Sequence, residues 1–229
     1  MICFVGMDDT DNSESRGTGH LARQTAACLA AQYKVSGVVR HQLLVDPRVP
    51  CTKNNSSATI LLHLNGTADL VKIFQQVKEC MLADFQPGSD PGLCVAAVVP
   101  EEVIQFGLRA KRELVTQEEA RHLAARHAIL LEGLGGTEGG VIGALAAVGL
   151  AASGEDGRYV QIGTLRNLSE LQPVATVVSA GVDHLQTLDG QPVTQGLVLT
   201  SKLRPARRGG KPVAFVQWDA GHWQPLKLD

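Results

Sequence analysis

The order in which hydrophobic periodicities occur over residues 1–99 is the feature that most restricts the fold. Residues 1–7 (MICFVGM) are a short apolar run of strand length. In 18–32 (TGHLARQTAACLAAQ), Leu21, Ala22, Thr25, Cys28 and Leu29 fall on one face of a helix. Val35 to Val45 is rich in branched apolar residues, and a proline-bracketed loop, 46–56, separates it from the next strand, ATILLHL (58–64). A helix starting at Thr67 or Asp69 runs to about Met81, and LCVAAVV (93–99) closes the series. Strand, helix, strand, strand, helix, strand is the split βαβ, ferredoxin-like pattern, in which both helices cover one face of the sheet.

Beyond Pro100 the chain turns helical. Thr116 and Glu119 form a T-x-x-E capping box ahead of EEARHLAARHA, because the threonine oxygen can accept from the amide three residues on. The glycine cluster GLGGTEGG (133–140) opens into VIGALAAVGLAA, apolar on every side and so expected to be a buried helix. After SGEDG (153–157) the pattern becomes short period-two runs, VATVVSA, LQTLDG, LVLTSKL, PVAFVQW and HWQPLKL, with turns at Asp189-Gly190, Gly209-Gly210 and Asp219-Ala220-Gly221. The expected class is α+β: a ferredoxin-like unit with added helices at 1–152, then a small all-β module at 158–229.

Composition removes several alternatives. An apolar share of 44% supports a packed core and argues against disorder. No apolar run reaches the roughly 20 residues that span a bilayer, and the N-terminus lacks a basic leader, so a cytoplasmic protein without membrane contact is expected. Cys3, Cys28, Cys51, Cys80 and Cys94 form no CxxC pair, which points away from disulfides and zinc. A net charge of −2 means that any attraction to nucleic acid must come from a local basic patch.

Asp8, Asp9 and Asp11 directly follow the first strand, where mutual repulsion raises their proton affinity unless a cation or helix terminus neutralises them. Mg²⁺ suits such a loop, since it takes one or two carboxylates together with waters and phosphates, and extended geometry would pair Asp9 with Asp11. The plainer reading is a solvated turn. Gly17 and Gly19 flank Thr18 at a helix start where an anion fits, although Thr18 alone reads as an N-cap. Gly135, Gly136, Gly139 and Gly140 offer a second such start, without the Gly-Lys-Ser/Thr of a Walker A loop. The loop 46–58 adds Arg48, Lys53, Asn54, Asn55, Ser56 and Ser57 as phosphate or ribose donors, or as an ordinary polar turn. His20 lies beside the first glycine turn, while His122 and His127, five apart, do not share a face as metal ligands would.

Four stretches, VGMDDTDN (5–12), LLVDPRVP (43–50), PGLCVA (91–96) and GGVIGALAAVG (139–149), together resemble, in order and spacing, the N-terminal half of the archaeal tRNA(Ile) agmatidine synthetase family. The resemblance covers residues 1 to about 150. It implies a kinase-like part joined to a ferredoxin-like domain, and an enzyme that uses ATP to phosphorylate a wobble cytidine before agmatine displaces the phosphate. It implies Mg²⁺-ATP contacts for Asp8, Asp9 and Asp11, and the role of the family's phosphorylatable threonine for Thr18. The family's Cys-Thr-Thr is Gly17-Thr18-Gly19 in this chain, and its basic residue after the proline loop is shifted to Lys53. The family's OB domain and four-cysteine zinc ribbon are not evident in the C-terminal sequence.

The expected function is an ATP- and Mg²⁺-dependent phosphotransferase or ligase-like enzyme, with Asp8, Asp9, Asp11 and Thr18 catalytic and Gly17, Gly19, Lys53, Gly139 and Gly140 binding the nucleotide. The alternative is a nucleotide- or anion-sensing module without turnover. The acceptor stays open. RNA is one candidate partner, through Lys202, Arg204, Arg207, Arg208 and Lys211 crowded at a hairpin tip beside Trp218 and Trp223. A solubilising tip is the competing reading of the same residues.

Overall fold

A computed structural model describes residues 1–49, 51–52, 54–66 and 69–228. The chain runs β1 (Ile2–Asp8), α1 (Thr18–Leu29), β2 (Lys34–Gln42), β3 (Ser56–His63), α2 (Leu70–Ala83) and β4 (Gly92–Ala96). The strands lie in the order β4-β1-β3-β2, every neighbouring pair antiparallel, with Val5 opposite Ile60 on one side and Val95 on the other. Asp69 begins α2, its carboxylate accepting from the Lys72 amide at 3.1 Å, whereas Thr67 lies outside the described residues. Cys28 departs from expectation: it is exposed, because α1 buries only Leu21, Ala22, Thr25, Ala26 and Leu29 beyond Thr18 at its first turn.

Both faces of this sheet are covered, which explains why β1 reads as an unbroken apolar run. Alternate residues Cys3, Val5 and Met7 pack with Leu21, Ile73 and Phe74 of α1 and α2. Phe4 faces the opposite layer, built from α3 (Glu101–Ala110), α4 (Gln117–Arg126) and α5 (Val141–Ser153). Thr116 caps α4 as the box predicts, accepting from the Glu119 amide at 3.1 Å. A short strand, β5 (Leu130–Gly133), pairs with β4 and leads into the glycine loop.

The apolar helix α5 presses backbone against backbone. A Cβ on Gly6 of β1 would overlap the Ala144 carbonyl, and one on Gly92 would overlap the Gly140 carbonyl. On the other side of α5, a Cβ on Gly149 would overlap the Val103 carbonyl of α3, and one on Gly107 would come within 2.8 Å of the Ala146 oxygen. Glycines here therefore set the distance between layers. Leu145 and Leu150, fully buried, contribute roughly 1.5–3 kcal/mol each.

After the left-handed Gly154 that ends α5, β6 (Arg158–Gln161) pairs with β2, so the sheet continues into the C-terminal segment. There follow a 3₁₀ turn (Leu165–Asn167), β7 (Leu171–Pro173), α6 (Val174–Ser179), β8 (His184–Gln186), β9 (Pro192–Val193), β10 (Leu197–Leu199), β11 (Ala206–Arg208), β12 (Lys211–Asp219) and β13 (His222–Pro225). The segment is not all-β as expected, since VATVVSA forms α6. Pro173 starts that helix, and Val174 and Val177, three apart, point into an apolar cluster with Leu165, Leu185, Val198, Leu203 and Val216. Among the described residues no helix is long and apolar enough to cross a membrane.

A buried polar network ties the segment to the sheet. His41, 0% exposed, bonds through Nδ1 to Asp156 at 2.9 Å and through Nε2 to Thr59 at 3.2 Å, and Lys111 pairs with the other Asp156 oxygen. Thr59 donates to the Ala147 carbonyl of α5 at 2.9 Å.

Replacing Gly6 by alanine should lower unfolding stability by about 1–3 kcal/mol, because backbone atoms must move to admit the methyl group. Gly19→Ala, on a helix position with open space around the Cβ, should instead raise stability by up to about 1 kcal/mol. Urea denaturation of both variants checks the pair; equal effects would mean that α5 is not packed this closely.

Candidate functional site

The end of β1 and the start of β4 are register partners, Asp8 opposite Gly92. That pairing brings the loop before β4 against the loop after β1, so Asp90 joins Asp8 and Asp9 although it is far away in sequence. The backbone turns left-handed at Asp9, with φ of 49°, an unfavourable conformation that Asp tolerates better than most residues. Asp8 lies against the first turn of α5, where a Cβ on Gly143 would overlap its carboxylate.

The carboxylates differ in their surroundings. Burial, then the charge of Asp9, pushes Asp8 up to about 7, and burial, then the charges of Asp90 and Asp11, pushes Asp9 up to about 6. Asp11 is more heavily bonded: its Oδ1 accepts from the Thr18 amide at 3.1 Å and the Thr18 hydroxyl at 3.0 Å, and its Oδ2 from Thr52 at 2.8 Å. Asp11 thereby caps α1, and Thr18 stands one residue inside the helix, with Gly17 as N-cap. The Thr18 hydroxyl, in a residue 6% exposed, also accepts from the Thr10 hydroxyl at 3.2 Å. Among the described residues no three His, Cys, Asp or Glu side chains converge into a ready-made metal cage.

These groups line a cleft of about 330 Å³, within the range of small-ligand sites. Asp8, Asp9, Asp11, Asp90, Thr18, Gly139 and Gly140 are part of its lining. Leu43, Leu44, Leu114, Val115 and Ile142 add apolar side chains to the same lining. Lys53 lies outside the described residues. Gly17 and Gly19 do not line this cleft; with Thr18 they border a neighbouring groove. Gly140 is a packing residue as well, since its amide donates to the Asp90 carbonyl at 2.9 Å and a Cβ there would overlap that same oxygen.

Asp90 is the site residue that sequence reasoning missed. Its carboxylate accepts from the Thr137 amide at 2.8 Å and from the Thr137 hydroxyl, which folds the glycine loop over the cleft. Gly136, at φ 60°, leaves room for it, because a Cβ there would collide with the Asp90 carboxylate. The legible signal was the SDPG turn before the fourth strand, meaningful only once that strand pairs with the first.

The loop 46–58 is less available than its composition implies. Arg48 folds back on Asp46 with two bonds of 2.8 Å, Asn55 holds the Leu44 carbonyl at 2.9 Å, and Ser57 is buried in the sheet. His127 pairs with Glu102, and His20 sits between Arg16 and Arg23 at 3.3 Å from each.

The expected basic tip at 202–211 is corrected at Arg207. Arg207 is 4% exposed and points inward, donating to the Ala151 carbonyl at 2.9 Å, the Tyr159 hydroxyl at 2.8 Å and the Gly210 carbonyl at 2.6 Å. Leu203, Pro205 and Ala206 are buried beside it, so the five cations do not crowd on one exposed surface. Trp218 and Trp223 pack edge to face at 5.0 Å as a cross-strand pair of β12 and β13.

No family model matches the chain. Over 152 residues it is 30% identical to an uncharacterized protein of Methanocaldococcus jannaschii, covering 65% of this chain and 49% of that protein. It is also 30% identical over 159 residues to the tRNA(Ile2) 2-agmatinylcytidine synthetase TiaS of Archaeoglobus fulgidus, covering 65% of this chain and 36% of TiaS. Among solved structures, the complex of TiaS with tRNA(Ile2) and ATP superposes with a TM-score of 0.57 at 24% identity, and apo TiaS with 0.54 at 25%, each over 65% of this chain and 36% or 35% of TiaS. The likeness to the agmatidine synthetases is thus present in sequence and in fold, as a partial and distant match. The chain matches about half or less of the length of each curated relative.

Asp8 and Asp9 hold protons in the fold at pH values where the unfolded chain, with carboxyls near 3.8, has released them. Through these two groups the folded state binds more protons, and without divalent cations their contribution to stability should fall as pH rises from about 4 to about 7, against an opposite contribution from buried His41, whose proton affinity is lowered. Asp8→Asn should flatten that decline in thermal midpoints measured in chelator. Asp46, held down to about 2 by Arg48, acts only below about pH 4, and His41 acts alike in parent and variant, so the difference between the two curves reads the carboxylate. In a separate test, Arg207→Ala should cost about 1.5–3 kcal/mol in chemical denaturation, whereas a surface cation would cost almost nothing.

Proposed function

We propose that the cleft binds Mg²⁺-ATP and that the protein transfers a phosphoryl group from it, as an ATP-dependent phosphotransferase or ligase-like enzyme related to tRNA agmatidine synthetase. One observation carries this reading: desolvated carboxylates, the glycine-rich start of a helix and apolar side chains line one cleft. Leu43, Leu44, Leu114 and Val115 offer apolar contact to a base, and the carboxylate- and glycine-bearing lining receives the metal-bound phosphates. Gly139 and Gly140 let the phosphates approach the positive end of α5.

The donor set fits magnesium. Asp8 and Asp9 are hard oxygen ligands pressed together in a partly desolvated corner, and the remaining positions belong to water and phosphate oxygens. Asp11, with three of about four acceptor positions in use, keeps one for the ion or its water and holds Thr18. When bound, the ion would neutralise charge developing on the transferred group. The protein's own part is to orient that group and exclude water from it. For Thr18, the role of phosphoryl acceptor that the family resemblance of the sequence implies is supported by its place in the cleft lining and by its hydrogen bond to the Asp11 carboxylate, which can take its proton.

The strand order β4-β1-β3-β2 with its two intervening helices supports a ferredoxin-like unit, and we assign residues 1–152 to the ATP-binding domain and 158–229 to a β-rich accessory module. The TiaS complexes contain tRNA, ATP and agmatine, which supports an RNA acceptor and a cytoplasmic setting for this chain.

Mg²⁺-ATP at a hundred times its Kd should raise stability by about 2.7 kcal/mol, far more than AMP does. Asp9→Asn should abolish that increment and ATP turnover while leaving the unliganded protein folded. Gly143→Ala should do the same by displacing Asp8. Undiminished ATP stabilisation in Asp9→Asn would refute the metal assignment.

A further inference from the structure

The groove that Thr18 shares with the cleft is bordered by a concentration of arginine that no single stretch of sequence reveals. About 320 Å³ in volume, it is lined by Gly17, Thr18, His20, Arg23, Arg40 and Val160, among others. Arg23 comes from α1, where it donates to the Gly19 carbonyl at 2.7 Å. Arg166 arrives from the 3₁₀ turn and donates to the carbonyl of Val160, a groove residue, at 3.0 Å. Arg204 comes from the loop before β11 and donates to the Leu203 carbonyl at 2.8 Å. None of Arg23, Arg166 and Arg204 has a carboxylate partner among the described residues, although other surface cations such as Arg48, Arg121 and Lys78 do.

Their proximity is electrostatically costly. Burial first, then the charges of Arg166 and Arg204, lowers the proton affinity of Arg23, and burial, then Arg166 and Arg158, does the same to Arg204. Arg40 and Arg158 also occupy directly opposed positions on β2 and β6. The carboxylate on the groove wall, Asp11, is engaged by Thr18 and Thr52. Arg23, Arg166 and Arg204, brought near one another by three separate elements and without a carboxylate partner among the described residues, are matched by an anion with several oxygens.

We propose that Arg23, Arg166 and Arg204 form a phosphate-binding site distinct from the nucleotide cleft, taking phosphate groups of a second ligand that meets the cleft at Thr18. Two of its three arginines belong to the segment after residue 153, beyond the helix that closes the ATP-binding part. The phosphates can come from a single-stranded nucleic-acid backbone or from a small phosphorylated molecule. That the ligand is the acceptor rests on the nucleotide reading; the binding of phosphate does not.

The test uses the full chain without ATP or Mg²⁺. A short single-stranded oligonucleotide and inorganic pyrophosphate are titrated across a salt series into the parent, Arg166→Ala, Arg204→Ala and, as control, Lys211→Ala, whose cation faces Asp183 at 3.2 Å instead. Oligonucleotide binding whose salt slope falls by about 0.7 per lost contact in both arginine variants, and stays unchanged in the control, supports a nucleic-acid ligand. Pyrophosphate binding that weakens in the same two variants, with the oligonucleotide bound no more tightly, supports a small phosphorylated ligand. Binding of neither probe by the parent at low salt overturns the site, as does parental affinity in both arginine variants. Mg²⁺-ATP stabilisation measured on the same variants should be unchanged; its absence from the parent as well would remove the nucleotide reading while leaving the phosphate site standing.

Discussion

Most of this structure depends on how closely α5 lies against the sheet. Gly6 and Gly92 on the strands and Gly140 and Gly143 on the helix side leave no room for a Cβ, and Gly107 and Gly149 do the same between α3 and α5. Backbone packed on backbone has few ways to slide, because each carbonyl sits where a side chain would otherwise hold the elements apart. The consequence appears at the helix start. Drawn in this far, α5 closes over Asp8, and the first turn meets the carboxylate that ends β1. A larger residue at 143 would keep the helix and still lose that contact.

The same closeness explains the unusual electrostatics of the site. Asp8 and Asp9 are pressed from water by the layer that α5 completes, and Asp90 is brought in by the pairing of β1 with β4. Arg48, which also lines the cleft, is paired with Asp46 and not with these carboxylates, while other cations collect in the neighbouring groove that shares Thr18. Such a separation of unlike charges in neighbouring depressions is maintained against their attraction because different rigid elements hold each set. On the functions proposed above, it gives the two depressions opposite preferences, one for cations and one for anions, with Thr18 lining both.

How much of this could be read in the sequence depended on range. The first strands and helices were legible because each carries its own period, and the Thr116 capping box and the buried α5 followed from local rules. The acidic loop was legible as a cluster. Asp90 was not, since it belongs to the site only through a strand pairing. Gly6 and Gly143 look like ordinary residues in apolar runs, and only packing reveals what they permit. LLEG and RYVQ are too short to carry a period, so β5 and β6 were missed, and with β6 the continuity of the sheet into the C-terminal segment. VATVVSA, short and apolar, satisfies strand and helix patterns equally.

The basic run near the C-terminus illustrates why residue type alone misleads. Arg207 looked like one of five surface cations, yet two buried hydrogen bonds and a half-buried third make it an interior pin between β11, the end of α5 and Tyr159. It works alongside the buried chain of Thr59, His41, Asp156 and Lys111, in which burial lowers the proton affinity of His41, while His41 and Lys111 keep Asp156 ionised despite its own burial. Both networks clamp the same junction, where α5 ends and β6 begins. That junction fixes the position of the following 3₁₀ turn and, through β6 and β11, of the loop that carries Arg204. The interior arginine thus helps to determine where the exterior ones stand, and an arginine groove assembled from distant segments is only as well defined as the buried clamp behind it.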